Sequence, residues 1–116
     1  GILSPESMRL SWTTVDNTEG KVSKDWGYGL GWAILPNQHE HGCCRDQQKA
    51  IAHTGAAIGA SSILLILPNS VKRNVYDDMQ DIPPPNGVVV AILVNMGSVC
   101  LRKPALNIAH LFNPEN

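Results

Sequence analysis

The residues of this chain most suited to chemistry are the consecutive His53, Thr54 and Gly55. Two polar side chains are closed by a glycine, which lets another backbone approach because it has no side chain. The triplet follows the alternating run from Lys49 to Ala52 and leads into small residues. This pattern is typical of a strand at a sheet edge that a substrate can approach. The sequence therefore predicts one wall of a binding or catalytic site.

The same residues can also have ordinary structural roles. His53 can be a half-buried strand histidine that hydrogen-bonds to a neighbour, and Thr54 can be a β-branched strand residue. Gly55 and Gly59 can mark a bulge or a turn, which is compatible with a functional role.

Length and charge exclude several classes of protein. The chain has 116 residues, enough for one domain with a modest core. Its formal net charge of −1 gives no basic field, which argues against nucleic acid as a partner. The longest apolar runs, 63–67 and 88–94, have the length of strands, so we expect no transmembrane segment. The chain begins with Gly1 and shows no signal peptide, so we expect an upstream segment to be missing.

The cysteines and histidines do not form a recognisable metal motif. Three cysteines, two of them adjacent, argue against a disulfide framework. His39 and His41 with Cys43 and Cys44 do not have the usual zinc spacing, so we predict a solvated hairpin tip, no metal and no cofactor. Cys100 is expected to pack as a small hydrophobic side chain.

Turn signals divide the chain into two helices and four strands. Ser4 can cap a first helix that starts at Pro5 and Glu6, and a last helix should start near Pro104. Pro36 to Asp46 reads as a polar hairpin loop. A flexible loop is predicted over about 68–87. The predicted strands cover 28–35, 47–54, 61–67 and 88–95.

Short connections between these strands favour an antiparallel sheet over a βαβ array. The predicted class is α+β, an antiparallel sheet flanked by N- and C-terminal helices. Val88 to Val94 is apolar at consecutive positions, so both of its faces should be covered. The last helix can cover one face with an apolar stripe, and nothing in the chain is large enough for the other. We therefore expect the chain alone to fold poorly or aggregate. The stripe consists of Leu101, Ala105, Ile108, Ala109 and Phe112.

Four segments follow one another along the chain: Tyr28-Gly29-Leu30-Gly31-Trp32, His53-Thr54-Gly55, Gly59-Ala60-Ser61-Ser62 and the apolar strand that ends in Asn95-Met96. This ordered set resembles the C-terminal part of the penicillin-recognising serine hydrolases, the family of class C β-lactamases and related esterases. The resemblance is strongest to the serine β-lactamase-like proteins of animal mitochondria, and it covers nearly the whole chain. It implies that 1–116 is the C-terminal part of a β-lactamase-related domain, a partial β-lactamase/transpeptidase-like fold without its helical region. It also implies a mitochondrial location.

The resemblance also implies roles for individual residues. In this family an acyl-serine intermediate forms, and a Lys/His-Thr/Ser-Gly motif lines the site from an edge strand. On that basis His53 supplies a polar or positive group beside the substrate, and Thr54 offers it a hydroxyl. Gly55 keeps the strand edge open, and the backbone N–H of Ala56 is one oxyanion donor. These four residues are the predicted substrate-binding and oxyanion side.

The family's nucleophile motif is absent from these 116 residues. None of the serines is followed three positions later by a lysine, and neither Tyr28 nor Tyr76 has an asparagine two positions on. We therefore predict a fragment of a serine-type hydrolase or peptidase that is inactive alone and acts on a peptide or ester in the complete protein. The alternative is a non-catalytic, filament-forming or scaffold module, present as a homo-oligomer.

Overall fold

Two helices and seven strands make up the described part of the chain. The structure is a computed structural model that describes residues 2–18, 25–36, 38–39, 46–47, 49–69 and 87–113. The helices are α1 (Pro5–Ser11) and α2 (Arg102–Leu111). The strands are β1 (Gly27–Tyr28), β2 (Ala33–Leu35), β3 (Gln38–His39), β4 (Asp46–Gln47), β5 (Ala50–Ala57), β6 (Ala60–Pro68) and β7 (Gly87–Val94). Neither of these helices is long and apolar enough to cross a membrane.

Five of the described strands form one antiparallel sheet in the order β1-β2-β5-β6-β7, and β3 pairs with β4 separately. The centre of the sheet is the hairpin of β5 and β6, which turns at Ile58 and Gly59. Gly59 has a φ of +76°, a conformation that favours glycine, so its interpretation as a turn residue is confirmed. β7 pairs with β6 from Pro68↔Gly87 to Ser61↔Val94. The predicted α+β class with an antiparallel sheet is confirmed.

The first predicted strand, 28–35, is wrong as a single element. The chain turns between β1 and β2, where Gly31 has a φ of +78° and the Gly29 N–H donates to the Trp32 carbonyl at 2.7 Å. The alternation of large and small residues across this segment therefore does not define two faces of one strand. A side chain at Gly29 would also collide with the carbonyl oxygens of Ser11 and Thr13, at 2.6 and 2.8 Å from its Cβ.

The other predicted elements agree with the structure to different degrees. The last two strands are confirmed to within one residue at each end. The second strand, predicted over 47–54, runs from Ala50 to Ala57, because its alanine- and glycine-rich end is held by pairing with β6. The hairpin predicted over 36–46 is described only at β3 and β4. Residues 70–86 of the predicted long loop lie outside the described residues, as do His41, Cys43 and Cys44.

α1 begins as its sequence predicts, and its end is tied to the sheet. The Ser4 hydroxyl accepts a hydrogen bond from the Ser7 N–H at 3.1 Å, and Pro5 occupies the first turn. At the other end, the Lys49 Nζ donates to the carbonyl of Trp12 at 2.7 Å. This contact joins the end of α1 to the residue that precedes β5.

The main core lies between α2 and one face of the sheet. α2 contacts β6 and β7, and its buried stripe is Leu101, Ala105 and Ala109. Two small alanines allow the helix to approach the strands closely. Ile108 and Phe112, predicted in the same stripe, are 38% and 72% exposed. Ile108 lies at the border of a stripe that repeats every four residues, and Phe112 is the C-cap after the last turn.

The opposite face of the sheet is covered only in part. Ile34 and Ile51, paired on β2 and β5, are buried. Farther across the same face, Val89 is 63% and Leu93 is 81% exposed on β7. The expectation that α2 covers one face of β7 and leaves the other open is therefore confirmed for this chain.

Candidate functional site

The predicted site lies on β5 where this strand changes from an internal to an edge position. β2 pairs with β5 only at Ala50, Ile51 and Ala52. From His53 to Ala57, the sheet pairing given by the described residues is with β6 alone. β5 is thus not an edge strand along its whole length, as the sequence suggested, but its second half has a free edge.

A pocket of about 250 Å³ lies against this free half of β5. Two neighbouring strands supply one side of it, and the connection between β7 and α2 supplies the other. The hairpin side is polar and small, which leaves room for a substrate group close to the backbone. The lining residues are Thr54, Gly55, Ala56, Ser61, Ser62, Ser98, Val99, Cys100, Leu101 and Arg102.

A second pocket, of about 420 Å³, adjoins the end of the same hairpin. It shares Gly55, Ala56, Ser61 and Ser62 with the first pocket and extends toward the end of β7 at Leu93 to Asn95. The tip of the β5–β6 hairpin therefore has open space on two sides.

Three of the four predicted site residues come together in the first pocket, and His53 does not. In the regular register of β5 and β6, His53 is opposite Leu64 and Thr54 is opposite Ile63. Successive side chains of a strand point to opposite faces, so His53 lies on the face away from Thr54 and Ala56. His53 is exposed and lines neither of the two pockets.

Gly55 lies beside the side chain of Ser62 on β6. A Cβ built at this position would lie 2.5 Å from the Oγ of Ser62, its cross-strand neighbour. The ladder is continuous through this pair, so the alternative interpretation of Gly55 as a bulge or turn is wrong. A larger residue at position 55 would require the Ser62 hydroxyl to rotate away, which is an adjustment of one side chain.

The pocket wall at 98–102 was not found from the sequence. Cys100 was expected to be packed, but it is an exposed free cysteine that lines the pocket. Arg102 also lines the pocket, and its guanidinium lies 5.7 Å from the ring centroid of Trp26, within cation–π range. These residues lie more than forty positions from the triplet in sequence, so no local pattern relates the two.

One lysine among the described residues, Lys49, has a perturbed pKa. Burial lowers the pKa of Lys49 from its ordinary value, because desolvation disfavours the charged amine.

Within the described ranges, no three His, Cys, Asp or Glu side chains are close enough to share a metal ion. The His39 to Cys44 segment falls outside this statement, apart from the backbone of β3.

Comparison with known proteins identifies relatives of this chain. They are serine β-lactamase-like proteins. The bovine serine beta-lactamase-like protein LACTB, mitochondrial, is 40% identical to this chain over 115 residues. The human and mouse proteins of the same name are each 39% identical over 115 residues.

These matches cover 99% of this chain and 20% of each relative. The chain therefore spans about one fifth of the length of the relatives that it matches. No family model matches it.

Proposed function

We propose that this chain is one part of a serine hydrolase or peptidase of the β-lactamase-like family, and that it supplies the substrate-binding and oxyanion side of the active site. The observation that carries the proposal is the free edge of β5 at Thr54 to Ala56, which lines a pocket. The similarity to proteins named as serine β-lactamase-like supports the reaction type. Their names also support a mitochondrial location for the protein.

The pairing of the hairpin supports an oxyanion role for the backbone of Ala56. The pair Ala57↔Ala60 closes a two-residue turn and should exchange hydrogen bonds. Hydrogen-bonded and non-hydrogen-bonded pairs alternate in an antiparallel ladder, so Ala56↔Ser61 should be non-hydrogen-bonded. The N–H of Ala56 then points away from β6, toward the free edge. A fixed backbone N–H at this position can stabilise the negative charge of a tetrahedral intermediate.

Thr54 and Gly55 complete this side of the site. The Thr54 hydroxyl can hydrogen-bond a substrate in the pocket, and Gly55 keeps the strand edge open because it has no side chain. His53 would act only on the other face of β5, so we assign it no contact with a substrate in this pocket. The nucleophile must come from outside these 116 residues, and the chain alone should be inactive.

A fluorophosphonate probe tests the proposal, because it labels an activated serine covalently. We expect the complete protein to be labelled at one serine outside this chain, and the 116-residue chain not to be labelled. A folded complete protein without labelling would overturn the proposal.

A non-catalytic assembly module is the second candidate. The exposed Val89 and Leu93 favour it, because a wide apolar sheet face needs a protein partner. Sedimentation velocity on the complete protein separates the candidates: an unlabelled homo-oligomer supports assembly, whereas a labelled monomer supports catalysis alone.

A further inference from the structure

The row of β6 side chains that faces α2 changes from apolar to polar at Ser61. Ile63, Leu65 and Leu67 alternate along the strand and are buried in the core. Ser61 continues this row and is only 6% exposed. A buried hydroxyl is costly unless it finds a hydrogen-bond partner, so its partner indicates why a serine is needed here.

The partner of Ser61 is the backbone of the pocket wall. The Val99 N–H donates to the Ser61 Oγ at 3.3 Å, across 38 positions of sequence. Val99 belongs to the connection between β7 and α2, where Ser98 has a φ of +59°. The same connection approaches the hairpin tip at Gly97, because a Cβ there would lie 3.6 Å from the Gly59 backbone N. The connection is therefore joined to the hairpin by one hydrogen bond and lies close to its tip.

We propose that Ser61 is a positioning residue that sets the width of the substrate pocket. It is paired with Ala56 in the register of the sheet, and its hydroxyl holds Val99 on the other side of the pocket. The hydroxyl of Ser61 thus contributes to the distance between the proposed oxyanion donor and the facing wall. This inference rests on the proposed function and adds a residue that acts on the pocket through Val99.

Removing the hydroxyl should loosen the wall without removing any reacting group. In Ser61→Ala, the Val99 N–H loses its acceptor, so Ser98 and Val99 are held less firmly against β5, whereas Leu101 stays buried in the core. Substrate groups are then held less well, while the nucleophile and Ala56 remain in place. We expect the apparent KI for fluorophosphonate labelling to rise about tenfold, with the maximal labelling rate changed by less than about threefold.

Saturation kinetics of labelling on the complete protein measure both quantities. Ser11→Ala is the matched control, because the Ser11 Oγ donates to the Met8 carbonyl at 2.8 Å within α1, away from the pocket. It should lose a comparable hydrogen bond and keep its KI. Ser61→Thr retains the hydroxyl and should restore the KI, and Ser61→Cys, a weaker acceptor, should be intermediate.

Hydrogen exchange of the peptide that contains Val99 supplies a readout independent of labelling. We expect faster exchange in Ser61→Ala than in the parent, and no change in Ser11→Ala. If the parent is labelled but Ser61→Ala keeps both its KI and its exchange rate, this inference is wrong and the proposed function stands. If the parent is never labelled, the proposed function fails, and the positioning role fails with it.

Discussion

The two halves of β5 differ although they belong to one continuous strand. Ala50, Ile51 and Ala52 are at most 1% exposed; all three pair with β2, and Ile51 and Ala52 also pair with β6. The five residues from His53 to Ala57 are exposed and, within the described part of the chain, pair with β6 alone. The first half contributes burial, which stabilises the fold. The second half contributes an accessible backbone, which a substrate site needs and which a buried strand cannot offer.

The buried half of β5 holds the exposed half, which is the proposed substrate edge, in place. An exposed strand end of small residues has little packing of its own, so its position depends on the buried residues that precede it and on the hairpin partner. Residues of β5 and β6 without a proposed chemical role therefore fix the position of the predicted motif.

The largest expected effect concerns the buried half. Ile51→Ala removes most of a side chain with no exposed surface, so the free energy of unfolding of the complete protein should fall by about 2–5 kcal/mol. Urea denaturation measures it. Ala57→Ser, at the exposed end of the same strand, is the control and should stay within about 0.5 kcal/mol. Equal losses for both variants would contradict the division of β5 into two halves.

A smaller effect, on activity instead of stability, is expected in the exposed half. Thr54→Val keeps the shape of the side chain and removes its hydroxyl. We expect the second-order labelling rate to fall about tenfold, or about 1.4 kcal/mol, with little change in unfolding.

Thr13→Val makes the same chemical change outside the pocket, where the Thr13 hydroxyl donates to the Arg9 carbonyl. Its labelling rate should match the parent. If Thr54→Val also matched the parent, the hydroxyl would have no role in binding.

The smallest effect is a pH dependence at the start of β5. Because burial lowers the folded-state pKa of Lys49, the unfolded chain binds more protons between that pKa and the ordinary lysine value. Stability contributed by this residue should therefore rise with pH in that alkaline window. In Lys49→Met the rise should be absent, as measured by urea denaturation at several alkaline pH values. A parent whose unfolding free energy falls through the window as steeply as that of the variant would contradict the assignment.

The sequence predicted elements whose signals are local. β7 is apolar along its length and β6 is apolar from Ile63 to Leu67, and α1 has its capping serine followed by proline. The turn between β1 and β2 was missed because Gly29 and Gly31 resemble small strand residues in sequence. What requires glycine at position 29 is its proximity to the carbonyl oxygens after α1, a tertiary contact.

The candidate site also has one part that the sequence predicted and one part that it did not. The triplet at 53–55 was found because its residue types are unusual together, and its resemblance to a known motif gave it a role. The facing wall at 98–102 was missed because only the fold brings it to β5. The one signal for this wall in the sequence was Ser61, a polar residue that continues an apolar row. Only the structure shows that the partner of Ser61 is Val99.

The order of the sheet has a consequence for handling this chain. β7 is the last strand, and its sequence from Gly87 to Val94 contains no charged residue and no proline. Its outer backbone groups have no strand partner among the described residues, and nothing in its side chains discourages another strand from adding there. If proteolysis released these 116 residues from the complete protein, we expect the released chains to pair with one another through β7 instead of binding back to the rest of the protein.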